Sequence, residues 1–435
     1  MESKPSTNNF AMKIQPKENH VEDGAAFRSE NKIICTTGKG GEFMNLGNGS
    51  LEPSHSWGGV VLLLALGVGV GVSGSRLGLS WVMLEEHYPK YKTACRTPYP
   101  SIGYEALGRP GKLLVVVAQN LTLVGVTTVF LILSGDILQA LLGEHAPLVF
   151  SSHCYCTLLV GGLLVPLSWL GTPKDFWPTA IVAMATTIIA VFVVVIKLIV
   201  DAPTIEVKEN NGTSFRSFFL GFGTILFSFG GAATFPTIQN DMKDRSKFPQ
   251  SVAIAFLVLL LMYVPISTVG YAVVGEEVPG NILRAVSGYA VQVTQALVLL
   301  HLLTAYVILV NPVTQGLEEA LNIPRRFGWK RCVVRTLLVL LEIVVGLAIP
   351  DFGKILDLVG ASTVTLMSFV LPPICYLRLS DSLDARGEAY RFVPFFERII
   401  LYVVMVAGLM GGVIATWSAI VNISTPSSGP DSCFF

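Results

Sequence analysis

Charge is scarce in this 435-residue chain, of which only 14% is Asp, Glu, Lys or Arg, while 52% is hydrophobic. This balance lies outside the usual range for a soluble domain and is typical of a protein that spans a lipid bilayer. Thirty basic residues balance thirty acidic ones, so there is no overall positive field of the kind that indicates nucleic-acid binding. We therefore expect an integral membrane protein that is embedded in lipid and binds no nucleic acid.

The chain also lacks the short motifs that mark common catalytic sites. There is no GxxxxGK phosphate loop, no HExxH zinc motif and no nucleophile elbow. The seven cysteines show none of the paired spacings of zinc or redox sites. We therefore expect no enzyme, no metal site, no cofactor and no use of ATP as the motor.

Two of the cysteines are closely spaced. Cys154 and Cys156 are one residue apart, a spacing that disfavours a bond between them in a helix or strand. We expect both to pack in the core, with pairing of either one to a distant cysteine in an outer loop as the alternative.

The N-terminus lacks an apolar core after its few charges, so we expect no cleavable signal peptide. Residues 1–56 are polar and show no sustained period, which predicts a disordered tail. Residues 57–422 form the predicted transmembrane domain, and residues 423–435 form a short C-terminal tail.

The transmembrane domain contains about ten runs that are long enough to cross a bilayer at roughly twenty residues each. They predict an all-α, polytopic membrane protein. The runs are 57–82, 113–134, 154–171, 177–200, 216–235, 251–274, 289–311, 333–350, 353–377 and 398–422.

The loop cations predict the orientation of these runs. Nearly all of them fall on alternate connections, whereas the opposite set of loops holds only Lys208, Arg284 and Lys354. By the positive-inside rule the richer set is cytoplasmic. This assignment puts residues 1–56 on the outer side despite their several lysines, which suggests that one span is missing before Trp57.

The run from residue 215 to residue 243 is broken in its second half by Gly230, Gly231 and Pro236. Glycine weakens a helix, and proline lacks a donor and disfavours helix at the residue before it. Many secondary transporters present such interrupted helices to a solute and its coupling ion at mid-membrane. We predict a solute site at this break, formed with the freed carbonyls; a packed glycine face near the end of the span is the alternative.

Four segments resemble the amino acid/auxin permease family, which includes vesicular inhibitory and proton-coupled amino acid transporters. The resemblance covers residues 57–421. The segments are GSRLGLSWVMLEEHYP (74–89), CRTPYPSIGYEALGRPGK (95–112), NLTLVGVTTVFLILSGDIL (120–138) and FGTILFSFGGAATFPTIQNDMKD (222–244).

This resemblance implies a leucine-transporter-like inverted-repeat bundle of eleven helices that moves amino acids with a proton or a sodium ion. The broken helix matches the family's sixth, so about ten spans are present of an expected eleven, and the first has no counterpart in residues 1–56. The resemblance further implies that the sixth-helix side of the substrate site consists of Ser228, Phe229, Gly230, Gly231, Ala232 and Thr234.

Polar residues inside other spans are further candidates. Glu342 and His301 are ionisable groups within apolar runs, where they suggest proton or ion coupling; hydrogen bonding to a neighbouring helix and ordinary packing are the alternatives. Asn120, Thr127 and Thr128 are candidates for lining the cavity, or for bonding carbonyls of their own helix.

We therefore expect secondary active transport of a small amino acid, coupled to a proton or sodium gradient. The alternative is a truncated isoform that does not transport, or a solute-sensing or scaffold partner of a full-length relative; a homo-oligomer is also left open. The sequence does not distinguish the plasma membrane from a vesicular or lysosomal one. Asn211 begins a glycosylation pattern in a loop assigned to the outer side.

Overall fold

The computed structural model describes most of the predicted membrane domain. The N-terminal tail, the Asn211 pattern and most of the C-terminal tail lie outside the described residues, so the predictions on them, including the absent first span, stay predictions. The described residues are 56–92, 95, 97–142, 152–169, 177–204, 215–275, 281–324, 327–384, 387–425 and 433.

The described chain is all-α, as predicted. The helices are α1 (Ser56–His87), α2 (Pro98–Leu142), α3 (His153–Trp169), α4 (Trp177–Asp201), α5 (Phe215–Ser228), α6 (Phe235–Asp241), α7 (Phe248–Val274), α8 (Tyr289–Ala320), α9 (Trp329–Ala348), α10 (Phe352–Val359), α11 (Leu371–Ser380) and α12 (Phe395–Ser424). Short 3₁₀ turns join several helices, and one of them, Gly230–Ala233, lies between α5 and α6. Two π-helical segments, Gly360–Val364 and Leu366–Val370, lie between α10 and α11.

Each of the ten predicted runs coincides with a helix or with a helix pair. Among the described residues, seven helical segments are long and apolar enough to cross a membrane: α1, α2, most of α4, α7, α8, the continuous segment from α10 to α11, and α12. The shorter α3 and α5 are also apolar. The remaining helix, α9, carries Arg331, Arg335 and Glu342 within its 20 residues, and this charge separates it from the other spans.

The helix α2 is 45 residues long because two helices meet in it at a kink. Gly108 takes φ 73° and ψ −157° there, a conformation that residues with a Cβ rarely adopt, and Pro110 follows it. Before the kink, Tyr99 is buried and its hydroxyl donates to the carbonyl of Met367 at 2.8 Å. Tyr99 therefore joins the first turn of α2 to the π-helical region.

The helices form one continuous apolar core. Along one side, α1 packs on α7 and α11; along the other, α2 packs on α8 and α3, and α3 packs on α9. The helices α4 and α12 lie against these groups, with α4 on α8 and α7, and α12 on α5 and the π-helical segments. The broken pair α5 and α6 thus lies between α1, α2, α10 and α12.

A buried ionic cluster joins α3, α8 and α9 near the ends that the loop cations predict to be cytoplasmic. The guanidinium of Arg335 is only 1% exposed and donates to Glu318 Oε1 at 2.6 Å, to the Ser168 carbonyl at 2.7 Å and to Asn311 Oδ1 at 3.1 Å. Arg331 donates to the same Glu318 oxygen at 3.1 Å. Because buried charges are tolerated when they are paired and hydrogen-bonded, this cluster can hold the three helices together.

A disulfide joins Cys154, at the start of α3, to Cys433 in the C-terminal tail, with Cα atoms 5.9 Å apart. The expectation that Cys154 only packs was therefore wrong, and the alternative of a distant partner holds. Cys156 is buried, as expected. Disulfides persist in oxidising compartments, so this bond supports the assignment of these ends to the outer side.

Candidate functional site

The structure contains the predicted interruption between residues 228 and 235. The helix α5 ends at Ser228 and α6 begins at Phe235, and the short 3₁₀ turn lies between them. Phe229 and Thr234 flank this turn with φ −100° and −103° and ψ 10° and −12°. Pro236 falls in the first turn of α6, where its missing N–H costs nothing, so the chain restarts a helix there.

Three carbonyls at the break accept hydrogen bonds from side chains, two of which lie on neighbouring helices. The hydroxyl of Tyr263, on α7, donates to the Ser228 carbonyl at 3.0 Å. The amide of Gln119, on α2, donates to the Ala233 carbonyl at 2.8 Å. Thr234 Oγ1 donates to the Gly231 carbonyl at 2.9 Å. These bonds explain how the interruption is stabilised inside the bundle, and they leave fewer free carbonyls in this conformation than the sequence suggested.

The six predicted substrate-site residues divide into two groups. Ser228, Phe229 and Ala232 are fully buried, and the ring of Phe229 packs on Phe256 and Tyr263 with centroids 5.7 and 5.5 Å apart. The second group keeps partial exposure and consists of Gly230, Gly231 and Thr234. The partly exposed group is the one within direct reach of a solute.

The π-helical region faces the break. A Cβ atom at Gly230 would lie 3.3 Å from two side-chain carbons of Val364, so the two backbones approach closely at this point. Ser368 lies in the second π-helical segment. Its hydroxyl is buried and forms no hydrogen bond within the described chain. π-Helical turns often occur at functional sites, and sequence reasoning gave no signal for them because no periodicity marks a single π turn.

Glu342 and Thr127 were predicted separately, and the structure brings them together. Thr127 Oγ1 lies 2.7 Å from Glu342 Oε1, and the hydroxyl of Tyr306, on α8, donates to Glu342 Oε2 at 2.5 Å. Thr127 Oγ1 also lies within 3.0 Å of the carbonyls of Leu123 and Val124. A neutral Glu342 could therefore donate to Thr127 while Thr127 donates to its own helix, so the geometry fits both protonation states.

The other polar candidates make contacts close to their own positions. The Asn120 amide donates to the Val116 carbonyl at 2.8 Å, and Thr128 Oγ1 donates to the Val124 carbonyl at 2.8 Å. These bonds match the alternative of bonding within the same helix. His301 is buried on α8, which packs mainly on α2 and α4.

Sequence reasoning missed a buried carboxyl beside the broken helix. Asp357, on α10, is 9% exposed, and Thr224 Oγ1 of α5 donates to its Oδ1 at 2.5 Å. Its backbone lies equally close, since a Cβ atom at Gly223 would approach the Asp357 carbonyl to 2.7 Å. Asp357 could have been found by the rule that singled out Glu342, because it is an acidic residue inside a predicted span.

These features define the class of the protein. A polytopic all-α bundle with an interrupted helix at its centre is the architecture of a leucine-transporter-like membrane transporter. Solved structures of such transporters share the fold. MhsT in complex with L-phenylalanine superposes with a TM-score of 0.58 at 12% identity, over 90% of this chain and 98% of MhsT. A mutant form of a manganese transporter from Eremococcus coleocola superposes with a TM-score of 0.53 at 14% identity, over 96% of this chain and 92% of the transporter.

The chain belongs to the transmembrane amino acid transporter protein family, whose model matches residues 56–418. It is therefore a multi-pass membrane protein of a transporter family rather than an enzyme. Among relatives from Arabidopsis thaliana, the amino acid transporter AVT1J is 26% identical over 340 residues, covering 75% of this chain and 77% of AVT1J. The amino acid transporter AVT1B is 26% identical over 432 residues, covering 97% of this chain and 75% of AVT1B.

Proposed function

We propose that this protein is a secondary active transporter of amino acids whose solute binds at the break between α5 and α6. Family membership supports the substrate class, and relatives are described as amino acid transporters. The observation that carries the site is the interruption itself, with partly exposed Gly230, Gly231 and Thr234 facing the π-helical region.

The break suits a zwitterionic solute for an electrostatic reason. A helix that ends inside the bundle, as α5 does, leaves carbonyl groups that favour an ammonium group, and a helix that begins there leaves N–H groups that favour a carboxylate; Pro236 removes one of these N–H groups from α6. During transport, the Ser228 and Ala233 carbonyls can release the Tyr263 hydroxyl and the Gln119 amide and bind the solute in their place. Alternatively, both hydrogen bonds persist while the surrounding helices move. The ion gradient sets the direction of net movement.

We further propose that the coupling ion is a proton or a sodium ion. Glu342 is a candidate carrier because its carboxyl lies between Thr127 and Tyr306 in a site that accepts either protonation state. His301 is the second candidate, as a buried titratable side chain on α8.

The proposed site is tested by Gly230→Leu in reconstituted vesicles. A leucine side chain at this position would collide with Val364, so we expect exchange of labelled amino acids to fall at least tenfold while the protein still inserts and purifies. The assay preloads vesicles with a mixture of unlabelled L-amino acids and presents each labelled one outside.

The matched control is Gly162→Leu on α3, where a Cβ atom meets nothing within 4 Å. We expect this variant to exchange amino acids like the wild type. Full exchange by Gly230→Leu would show that the solute does not pass the break, and no exchange by the wild type would refute amino acid transport.

A further inference from the structure

A coupling ion must bind where two elements change their contact during transport, because only a difference in affinity between two states can link the ion to the movement. The hydrogen-bond partners of Glu342 do not lie at a contact with the broken helix. Thr127 on α2, Tyr306 on α8 and Glu342 on α9 all belong to helices that pack on one another away from the break.

Asp357 meets the condition. Its carboxyl accepts a hydrogen bond from Thr224 on α5, the first half of the broken helix. One turn further along α5, the Ser228 hydroxyl donates to the Thr224 carbonyl at 3.1 Å, and Ser228 is the last residue before the break. A change at Asp357 is therefore connected through a single helical turn to the solute site.

The backbones of α5 and the α10 region also touch at this level. A Cβ atom at Gly360 would collide with the backbone of Gly223, and one at Gly223 would lie 3.3 Å from the Ala361 side chain. Because two helices in such close contact cannot tilt independently, α5 and α10 must move together or separate. The Asp357–Thr224 hydrogen bond lies at this contact.

The surroundings of Asp357 supply no opposite charge that faces it in this conformation. Asp351 lies six residues earlier, about 9 Å along the helix axis. A buried carboxylate without a cationic partner is costly. The charged and titratable side chains on or beside the helices that pack against Asp357 at this end are Asp351 and Lys354 of the α10 region, Arg216 of α5 and Asp136 of α2.

The nearby cationic side chains form hydrogen bonds with groups other than Asp357. Lys354 Nζ donates to the Thr425 carbonyl at 2.9 Å, and Arg216 donates to Asn422 Oδ1 at 3.1 Å. Asp136 on α2 pairs with Arg284. Among the described residues, no Lys, Arg or His side chain forms an ion pair with Asp357.

From this geometry we propose that Asp357, held by Thr224, is the binding site of the coupling proton. This inference rests on the proposed transport function. The proton enters from the aqueous side, binds a carboxylate oxygen of Asp357 and is released to the other side when the contact between α5 and α10 opens. Protonation turns Asp357 from an acceptor of the Thr224 hydrogen bond into a group that can also donate, which changes how strongly it holds α5.

The decisive test compares gradient-driven accumulation with gradient-free exchange. Wild type, Asp357→Asn and Glu342→Gln are reconstituted into vesicles that contain the pH dye pyranine, and the labelled amino acid is the one that wild type exchanges fastest. A difference of two pH units, imposed in either direction, can drive up to about 100-fold accumulation at one proton per solute. The matched control is Asp201→Asn on α4, which removes a carboxylate that pairs with Lys197 within its own helix.

We expect Asp357→Asn to keep exchange within about threefold of wild type but to lose accumulation and the proton flux that pyranine reports. Asp201→Asn should keep both. Thr224→Val removes the hydrogen bond that holds Asp357 to α5, so the pH at which its accumulation is half-maximal should differ from that of wild type.

Several outcomes would overturn the proposal, and each is distinguishable from failure of the transport function. Proton-driven accumulation by Asp357→Asn would refute it while leaving transport intact. So would loss of coupling in Glu342→Gln alone, or accumulation driven by a sodium gradient and not by pH. Loss of exchange in both Asp357→Asn and Asp357→Glu would make Asp357 a structural residue. No exchange by the wild type refutes transport itself.

Discussion

Polar side chains inside this bundle mostly satisfy backbone groups. Thr128 and Asn120 bond carbonyls one turn earlier on α2, whereas Tyr263 and Gln119 reach across to carbonyls at the break. The two kinds of residue look alike in the sequence, because each is a single polar group in an apolar run. Only the second kind connects helices, so substitutions of the second kind should have the larger effects.

At the residue scale, Tyr306→Phe should destabilise the protein. It removes the hydroxyl that donates to Glu342 Oε2, and interhelical hydrogen bonds in membranes contribute about 0.6 kcal/mol and at most about 1.7 kcal/mol. We expect a lower apparent unfolding temperature in detergent, measured by the fluorescence of a thiol-reactive dye. Tyr155→Phe is the control, since Tyr155 is exposed on α3, and an equal loss in both variants would contradict the prediction.

At the element scale, the two halves of the broken helix are held by different neighbours. The end of α5 is held by α7 through Tyr263, while the connection to α6 is held by α2 through Gln119. Further along α6, Gln239 donates to the Gly78 carbonyl of α1 at 2.9 Å. This division allows the halves to move with different partners, which is what an alternating mechanism requires.

Gln119→Leu should therefore impair exchange without preventing insertion. It leaves the Ala233 carbonyl without its donor, and an unsatisfied buried group costs about 1 to 3 kcal/mol, so exchange should fall by about tenfold. The control is Thr122→Val, which removes a hydroxyl that donates to the Ala118 carbonyl of the same helix. Wild-type exchange by Gln119→Leu would mean that this bond does not hold the break.

At the scale of the whole molecule, the disulfide links two distant parts of the chain. Cys154 and Cys433 are 279 residues apart in sequence, so the bond ties the tail after α12 to the start of α3. Cys433 also donates its backbone N–H to the Leu347 carbonyl at 3.0 Å, at the end of α9. Cys433 is thus anchored at the start of α3 and the end of α9, the side that the loop cations predict to be outer.

This arrangement predicts where Cys433 can be modified. The tail of residues 1–56 contains Cys35, so the test is made in a Cys35→Ser background. There, Cys154→Ser should free the thiol of Cys433 to react with a membrane-impermeant maleimide added to the outer side, which for a vesicular protein means inside-out preparations. The Cys35→Ser parent should react only after reduction, and gel shift of the labelled protein measures the difference. Labelling from the cytoplasmic side alone would reverse the orientation that the loop cations predict.

Local chemistry in the sequence determined the spans and the break. A membrane-length apolar run is recognisable without its neighbours because lipid imposes the same length on every span, and Gly230, Gly231 and Pro236 interrupt a helix wherever it lies. The orientation follows from loop cations in the same way. These properties depend on residues that are close together in the chain.

Pairing was decided only by the tertiary structure. Thr127 and Glu342 are 215 residues apart, and Thr224 and Asp357 are 133 apart; nothing local signals that either carboxyl meets a hydroxyl. The donors at the break and the partner of Cys154 could not be predicted either, because they too lie far away in the sequence. The π-helical segments depend on how α10 packs against α5 and α12, since a helix widens by one residue per turn only where neighbours stabilise it.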